Sequence, residues 1–377
     1  MTAAGYAARG RHRTTRGDRV TRFVVGLTVA AAMVAVAPIV AAMFGIGTGG
    51  SPRTAFATAP AGTYAVVTRT EGAVDVVAAV RADGTGDPIE LARVPHLAGF
   101  PTTGSVSPDG GYAAVVAVDG GTPTTPSASL ILVELTTGRA ERLISGIEPS
   151  QAPAWEPGSE AVAVTRQAAD ADGAPAIEVL RVARDGAVTR LWSQRDALGV
   201  YPLGWRGAEL LAVVIDGRGS TLQANGQDLA HLSEWVTRDW TLSPAGDAVA
   251  FVEANLSEGL RYLPRVVTFG GDATATAQAL AAPGFAALGT AWGRGSGPAF
   301  GAVPAAGGGS DASAQALSAS GGFDVPLGYS PDGNVLAVTR WDGSSFDAPG
   351  RPQLELVSPQ GRTAVPGYRG FLGWAQR

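Results

Sequence analysis

The sequence predicts an all-β fold: a seven-bladed β-propeller of four-stranded antiparallel blades, preceded by one transmembrane helix. Three observations predict it. A unit made of an aromatic or apolar residue, a Pro- or Gly-containing turn and a short β-branched run recurs every 37–50 residues, which is the period of propeller blades. The 377 residues include 52 Gly and 25 Pro, as a chain with many turns requires. One uncharged apolar stretch of helix length lies near the amino terminus.

That stretch, residues 23–46, predicts a helix that spans the lipid bilayer, since 24 residues at about 1.5 Å each exceed a hydrocarbon core of roughly 30 Å. Residues 1–22 carry six Arg and one Asp, which predicts a basic cytoplasmic tail and an extracytoplasmic remainder. Residues 47–61 are read as a flexible linker. The alternative is a signal peptide cleaved near Ala55-Phe56-Ala57, which would release a secreted protein.

Residues 62–377 contain the repeats. Six complete copies begin at apolar or aromatic residues: Val106, Trp155, Trp205, Leu242, Trp292 and Tyr329. The strand before each turn is the first of a blade, and the run after the turn is the second. A seventh copy ends at Trp374 without a second strand, whereas the run at 63–69 lacks a first strand. We expect these two ends to complete one blade together, which closes the ring. Six or eight blades are the alternatives, and the blades at Trp205 and Trp292 are the weakest.

Two turns share the sequence Ser-Pro-Asp-Gly and have a structural role. In it Pro fixes φ, Asp caps the turn and Gly adopts a positive φ. The residues are Ser107, Pro108, Asp109 and Gly110, and then Ser330, Pro331, Asp332 and Gly333. Trp155, Trp205, Trp292, Tyr329 and Trp374 share one place at the end of the first strand. We expect them to pack between blades; a carbohydrate-stacking ring is the alternative.

These two turns, followed by AAVVAV and VLAVTR, resemble the repeats of TolB-like (WD40-like, PD40-type) propellers. The resemblance covers residues 62–377 and implies the fold, because the shared residues are structural. Members of that family act mainly as interaction platforms, and some related propellers accompany peptidase domains. No counterpart of the α/β domain that precedes the TolB propeller is found here.

Composition excludes much chemistry. The chain has no Cys, and its 28 basic residues are all Arg, so thiol, Schiff-base and P-loop lysine chemistry are excluded. Three scattered His do not predict a metal site, and His96 and His231 fall near outer strands of different blades. Residues 23–377 hold 22 Arg against 32 acids, a net charge of −10 that argues against nucleic-acid binding. We predict no catalytic residue, metal or cofactor.

Long polar connections between the second and third strands are the predicted binding elements, because binding residues concentrate on loops of rigid scaffolds. Their aromatic residues Tyr262, Trp341 and Phe346 are the candidate contacts for an envelope protein or glycan. The tether reaches the propeller at the opposite end, so we expect these loops to lie distal to the bilayer. The function predicted is non-catalytic binding or scaffolding. The alternatives are variable solvated turns and a hydrolase or lyase that acts at the central channel.

Overall fold

Antiparallel β-sheets, arranged as a propeller, make up the described part of this computed structural model. The structure describes residues 56–122, 125–257, 259–269, 277–279, 285–295, 297–304, 316–317, 321–345 and 347–377. The predicted tail (1–22), transmembrane helix (23–46) and most of the linker (47–61) lie outside these residues. The chain divides into two units, Met1–Thr48 and Gly49–Arg377, and every described residue belongs to the second.

The sheets are numbered along the chain. Sheet 1 holds β1 (Thr63–Glu71), β2 (Val74–Arg81), β3 (Ile89–Pro95) and the carboxyl-terminal strand β27 (Gly370–Gln376). Sheet 2 holds β4 (Thr103–Val106), β5 (Tyr112–Thr122), β6 (Thr125–Glu134) and β7 (Ala140–Ile147). Sheet 3 holds β8 (Ala154–Trp155), β9 (Ala161–Ala169), β10 (Pro175–Ala183) and β11 (Val188–Arg195). Sheet 4 holds β12 (Ala197–Arg206), β13 (Glu209–Asp216), β14 (Gly219–Ala224) and β15 (Gln227–Ser233).

Sheet 5 holds β16 (Val236–Leu242), β17 (Ala248–Asn255), β18 (Arg261–Thr268) and β19 (Ala277–Ala279). Sheet 6 holds β20 (Phe285–Trp292), β21 (Pro298–Pro304) and β22 (Ala316–Leu317). Sheet 7 holds β23 (Phe323–Tyr329), β24 (Leu336–Trp341), β25 (Pro352–Ser358) and β26 (Gly361–Ala364). In each four-stranded sheet, the strands are called A to D in connection order, so that β27 is strand A of sheet 1.

The prediction of an all-β propeller with four-stranded antiparallel blades is confirmed, but the predicted number of seven is wrong. The described residues form six four-stranded blades, and sheet 6 has three strands. Its third strand, β22, is two residues long and pairs with β21 in parallel rather than antiparallel orientation. The sequence here is rich in Ala, Gly and Ser and poor in β-branched residues, so it has little strand propensity.

Sheet 1 joins the two ends of the propeller chain. Strand β27 pairs antiparallel with β1, from Thr63 opposite Gln376 to Thr68 opposite Gly370. The backbone groups of Gly62 and Arg377 exchange two hydrogen bonds of 2.9 Å. Each end of the chain thus provides strands to one blade, and this pairing covers the sheet edge that β1 would otherwise expose.

The A strands also contact one another from sheet to sheet through indole hydrogen bonds. Trp155 Nε1 donates to the carbonyl of Ser105 in sheet 2 at 3.1 Å. Trp205 Nε1 and Trp374 Nε1 repeat the pattern toward the preceding sheet, at 3.3 and 3.2 Å. These aromatic residues pack between blades, as expected, and their indole N–H groups are used by the fold.

Candidate binding site on the B–C face

The predicted binding elements lie at the end of the propeller where strand B connects to strand C. At the same end, strand D connects to strand A of the next sheet. We call this end the B–C face. The Ser-Pro-Asp-Gly turns lie at the opposite end, the A–B face, where Gly110 and Gly333 close four-residue turns with 2.8 Å bonds to the carbonyls of Ser107 and Ser330. Both glycines have positive φ, of 69° and 76°.

Two of the three predicted aromatic residues lie among the described residues, in different sheets. Tyr262 lies on β18, half-buried, and packs against the buried cluster of Val252, Ala287 and Phe300. Trp341 ends β24 in sheet 7 and stacks on Phe323, with ring centroids 6.3 Å apart. Phe346 lies outside the described residues. Tyr262 and Trp341 thus share a face but lie in different sheets, and each packs against apolar side chains of the fold. Their binding role stays a prediction.

Exposed leucines mark this face more clearly than the aromatic residues do. Leu198 begins strand A of sheet 4, and Leu256 and Leu260 lie in the B–C connection of sheet 5; each is 37–50% exposed. Among the described residues, the fourth large apolar side chain with such exposure is Val188, on the A–B face. Three of these four therefore lie on the B–C face, in two neighbouring sheets.

A cavity of about 80 Å³ opens on the same face between sheets 3 and 4. Its wall combines the connection before β8, the end of β9, the start of β10 and the start of β12. The lining side chains that carry polar groups are those of Glu148, Ser150, Gln151, Thr165, Arg166, Gln167 and Tyr201, with Ile177, Leu198 and Val200 as apolar neighbours. Four chain segments far apart in sequence thus converge on one small polar space.

Backbone and amide hydrogen bonds fix the cavity wall. The Glu148 N–H donates to the Thr165 carbonyl at 2.8 Å, which ties the connection to strand B. The Gln151 Nε2 donates to the Val200 carbonyl at 2.8 Å and bridges sheets 3 and 4. Gly199 leaves room for the Tyr201 ring, since a Cβ there would lie 2.5 Å from its Oη.

Two buried polar atoms of the cavity residues have no hydrogen-bond partner within the described part of the chain. They are Gln151 Oε1 and Thr165 Oγ1, and Thr165 is only 2% exposed. Buried polar groups are nearly always satisfied, and an unmet acceptor costs about 1–3 kcal/mol. These atoms therefore favour a polar occupant, such as water or a ligand group.

The two charged side chains that line the cavity, Arg166 and Glu148, differ in whether they form an ion pair. Arg166 Nη2 lies 2.6 Å from Glu178 Oε2, so this guanidinium is neutralised within sheet 3. Glu148 accepts a 3.0 Å hydrogen bond from Ser150 but has no ion-pair partner in the described ranges. Burial, and then the negative charge of Glu148, raise the pKa of the Tyr201 phenol above its ordinary value. The phenol is therefore neutral at physiological pH.

A second polar cluster on this face is fully enclosed. Asp75 at the start of β2 and His96 after β3 are buried, with His96 Nε2 3.3 Å from Asp75 Oδ1. Asp75 Oδ2 also accepts hydrogen bonds from Thr102 N at 2.6 Å and Oγ1 at 2.7 Å. His96 directly follows the outer strand β3, as expected from its place in the sequence. Its side chain is nevertheless buried. The cluster joins sheets 1 and 2 and is inaccessible to a ligand.

Sequence reasoning missed both the cavity and the Asp75–His96 pair. No motif connects Glu148, Thr165 and Tyr201, since they come from different strands and a connection. His231, by contrast, is exposed on β15, the outer strand of sheet 4. In the part of the chain that the structure describes, no three His, Cys, Asp or Glu are grouped to hold a metal ion. The same described ranges contain no helix long and apolar enough to cross a membrane.

No family model matches the chain, and no curated protein matches it. Among solved structures, TolB from Acinetobacter baumannii is similar at 17% identity and a TM-score of 0.49, over 84% of this chain and 67% of that chain. A protein assigned as TolB from Agrobacterium tumefaciens is similar at 14% identity and a TM-score of 0.45, over 84% and 92% of the two chains.

A protein assigned as a 6-phosphogluconolactonase from Bacteroides fragilis is also similar, at 12% identity and a TM-score of 0.47, over 83% of this chain and 96% of that chain. Structures described as TolB and as an enzyme are thus both among those that this chain is similar to. The architecture given above rests on the strand pairing of this chain itself.

Proposed function

We propose that the chain is a membrane-anchored, extracytoplasmic β-propeller that binds an envelope protein or glycan without catalysis. The observation that carries the proposal is the B–C face, where a polar cavity with unpartnered buried atoms lies beside exposed Leu198. Rigid sheets hold this face, and apolar anchors beside a few fixed polar groups are typical of recognition surfaces. The resemblance to TolB-like repeats supports the same class of function.

The anchor is part of the proposal because of residues 23–46 and the Arg-rich segment before them. Fractionation of cells that express the full chain tests it. We expect the protein to stay in the membrane pellet after alkaline carbonate extraction and to need detergent for release. A soluble product that begins near Thr58 would show instead that the segment is a cleaved signal peptide.

Crosslinking in membranes, followed by capture of the full-length protein and mass spectrometry, tests the binding role. The test variant carries Leu256→Ser and Leu260→Ser on the B–C face, and the matched control is Val188→Ser on the A–B face. Loss of two apolar anchors at about 1.5 kcal/mol each predicts that capture of the partner falls roughly 100-fold. The control should retain it.

Equal capture by the test and control variants would overturn the B–C face as the binding surface. The same preparation of Tyr262→Ala, Trp341→Ala and Phe346→Ala tests the aromatic contacts predicted from sequence. Turnover of the captured glycan or peptide by the purified protein would favour the alternative function, a hydrolase or lyase.

A further inference from the structure

We propose that the cavity between sheets 3 and 4 binds a primary ammonium group, with Glu148 as its counterion. The ammonium group comes either from a lysine side chain of a partner protein or from a free alkylamine. The proposal rests on the function proposed above only for the first of these two sources. It follows from the charges, the hydrogen-bonding capacity and the size of the cavity.

The charge of the cavity comes from Glu148. Four carboxylates are buried in the described chain. Three have arginine partners, since Arg265 lies 3.1 Å from Glu253 and Arg362 lies 2.6 Å from Asp324 and 2.7 Å from Glu355, and the fourth, Asp75, lies 3.3 Å from His96. Glu148 lacks such a partner among the described residues, although it is half-buried. An incoming cation would supply the missing charge, and charge-assisted hydrogen bonds are stronger than neutral ones.

The unpartnered oxygen atoms of the cavity favour a ligand that donates hydrogen bonds. The bond from Gln151 Nε2 to Val200 leaves Oε1 of that amide as an acceptor. The Thr165 hydroxyl adds a second oxygen, and the second carboxylate oxygen of Glu148 a third. A primary ammonium group has three N–H donors and no acceptor, which matches three oxygens. A carboxylate or phosphate ligand would instead meet the like charge of Glu148.

The neighbouring guanidinium of Arg166 does not offset the preference of the cavity for a cationic ligand. Arg166 donates from Nε and Nη2 to Glu178 Oε2, at 3.2 and 2.6 Å, so its charge is balanced inside sheet 3. Arg190 shares Glu178, at 3.3 Å, and Arg195 pairs with both Asp170 and Asp172, so three arginines face three carboxylates in this sheet. The aromatic ring of Tyr201 and the side chain of Leu198 supply an apolar rim for the methylene groups that carry the ammonium.

The size of the cavity sets the kind of ligand. A volume of about 80 Å³ holds a few water molecules, one of which needs about 10–15 Å³. It also admits the end of an alkylammonium chain but not a sugar ring. This chain contains no lysine, so a second copy cannot supply the side chain. The lysine must come from a different protein.

Calorimetric titration of the full-length protein with n-propylammonium tests the inference, and n-propanol serves as the neutral isostere. We expect a dissociation constant of roughly 1–10 mM for the amine, in the range of ligands with few atoms. Glu148→Gln should weaken binding at least tenfold, and Thr165→Val severalfold. The matched control is Glu160→Gln, which removes one acid from the A–B end of the same sheet. Circular dichroism and the thermal midpoint verify folding of each variant.

No heat of binding for the amine, equal affinity for n-propanol, or an unchanged affinity in Glu148→Gln would overturn the proposal. Capture of the envelope partner by the same variant then separates the two sources. Capture that falls together with amine affinity identifies a partner lysine, whereas unchanged capture identifies a free alkylamine. Capture that depends on Leu256 and Leu260 without any amine binding would leave the proposed function standing and remove the ammonium site.

Discussion

Replacement of Asp75 by Asn should destabilise the propeller by about 2–3 kcal/mol at neutral pH. The Asp75 side chain is fully buried, and its carboxylate accepts two hydrogen bonds from Thr102 and lies beside His96. Burial alone would raise its pKa, but the groups that contact it, His96 first, together lower the pKa from 3.8 to about 2. At 1.36 kcal/mol per pKa unit, the difference corresponds to about 2 kcal/mol.

The sign of the pH dependence follows from the lowered pKa. Because the folded chain holds the carboxylate more tightly ionised than the unfolded chain does, the stabilisation is complete above pH 3.8 and is lost as the pH falls through about 2. The difference in stability between wild type and Asp75→Asn should therefore be largest above about pH 4 and should shrink toward pH 2.

Thermal unfolding, followed by tryptophan fluorescence at several pH values, measures this difference. For a domain of this size, about 2 kcal/mol corresponds to a midpoint lowered by about 3 °C. Asp83→Asn is the matched control in the same sheet, since its carboxylate is exposed and pairs with Arg81 on the surface at 2.6 Å. It should cost less than about 1 kcal/mol. Equal midpoints for wild type and Asp75→Asn would refute the reasoning.

Three further predictions concern stability. Burial lowers the pKa of His96, but the Asp75 carboxylate and the Leu97 carbonyl raise the pKa more. The loss of stability caused by His96→Gln should therefore be largest below pH 6.5 and should shrink as the pH rises through the raised pKa. Thermal midpoints measured from about pH 5 to pH 9 would show this. Trp205→Phe should lower the free energy of unfolding by about 1 kcal/mol in denaturant titration, because it removes the hydrogen bond to the Ala154 carbonyl but keeps an aromatic side chain. Gly289→Ala should lower the thermal midpoint, since Gly289 has a φ of +66° and a Cβ there would lie 2.7 Å from Val325 Cγ1; an unchanged midpoint would contradict this.

The repeats made the fold predictable, because each blade carries its own local signals. A turn such as Ser107–Gly110 is specified by adjacent residues, and the apolar or aromatic residue before such a turn marks the end of the first strand of the blade. The chain near sheet 6 lacks those signals beyond β21, since Ala and Gly have low strand propensity, and there the predicted blade is incomplete. The repeat signals of sheet 4 are also weak in the sequence, but this sheet forms all four strands, which are connected by tight hairpins.

The candidate site was much less predictable. The aromatic residues that pointed to binding, Tyr262 and Trp341, lie in different sheets and pack against apolar side chains of the fold. The cavity depends on Glu148 and Gln151, which lie in an unremarkable connection, and on Thr165, which reads in sequence as an ordinary strand residue. Only the register of strands and the packing of sheets 3 and 4 bring these groups together, and neither is encoded by a local pattern.

The pairing of β27 with β1 has a consequence for the order of assembly. These strands are separated by about 300 residues, so their contact is among the most non-local in the described chain, and we expect it to close late in folding. During synthesis β1 is made long before β27, so the edge of β1 stays unpaired while the rest of the chain is made. Any product that stops short of residue 370 would keep that edge open and be prone to pair with another strand. Closure of sheet 1 therefore reports that the chain has been made through to its last strand.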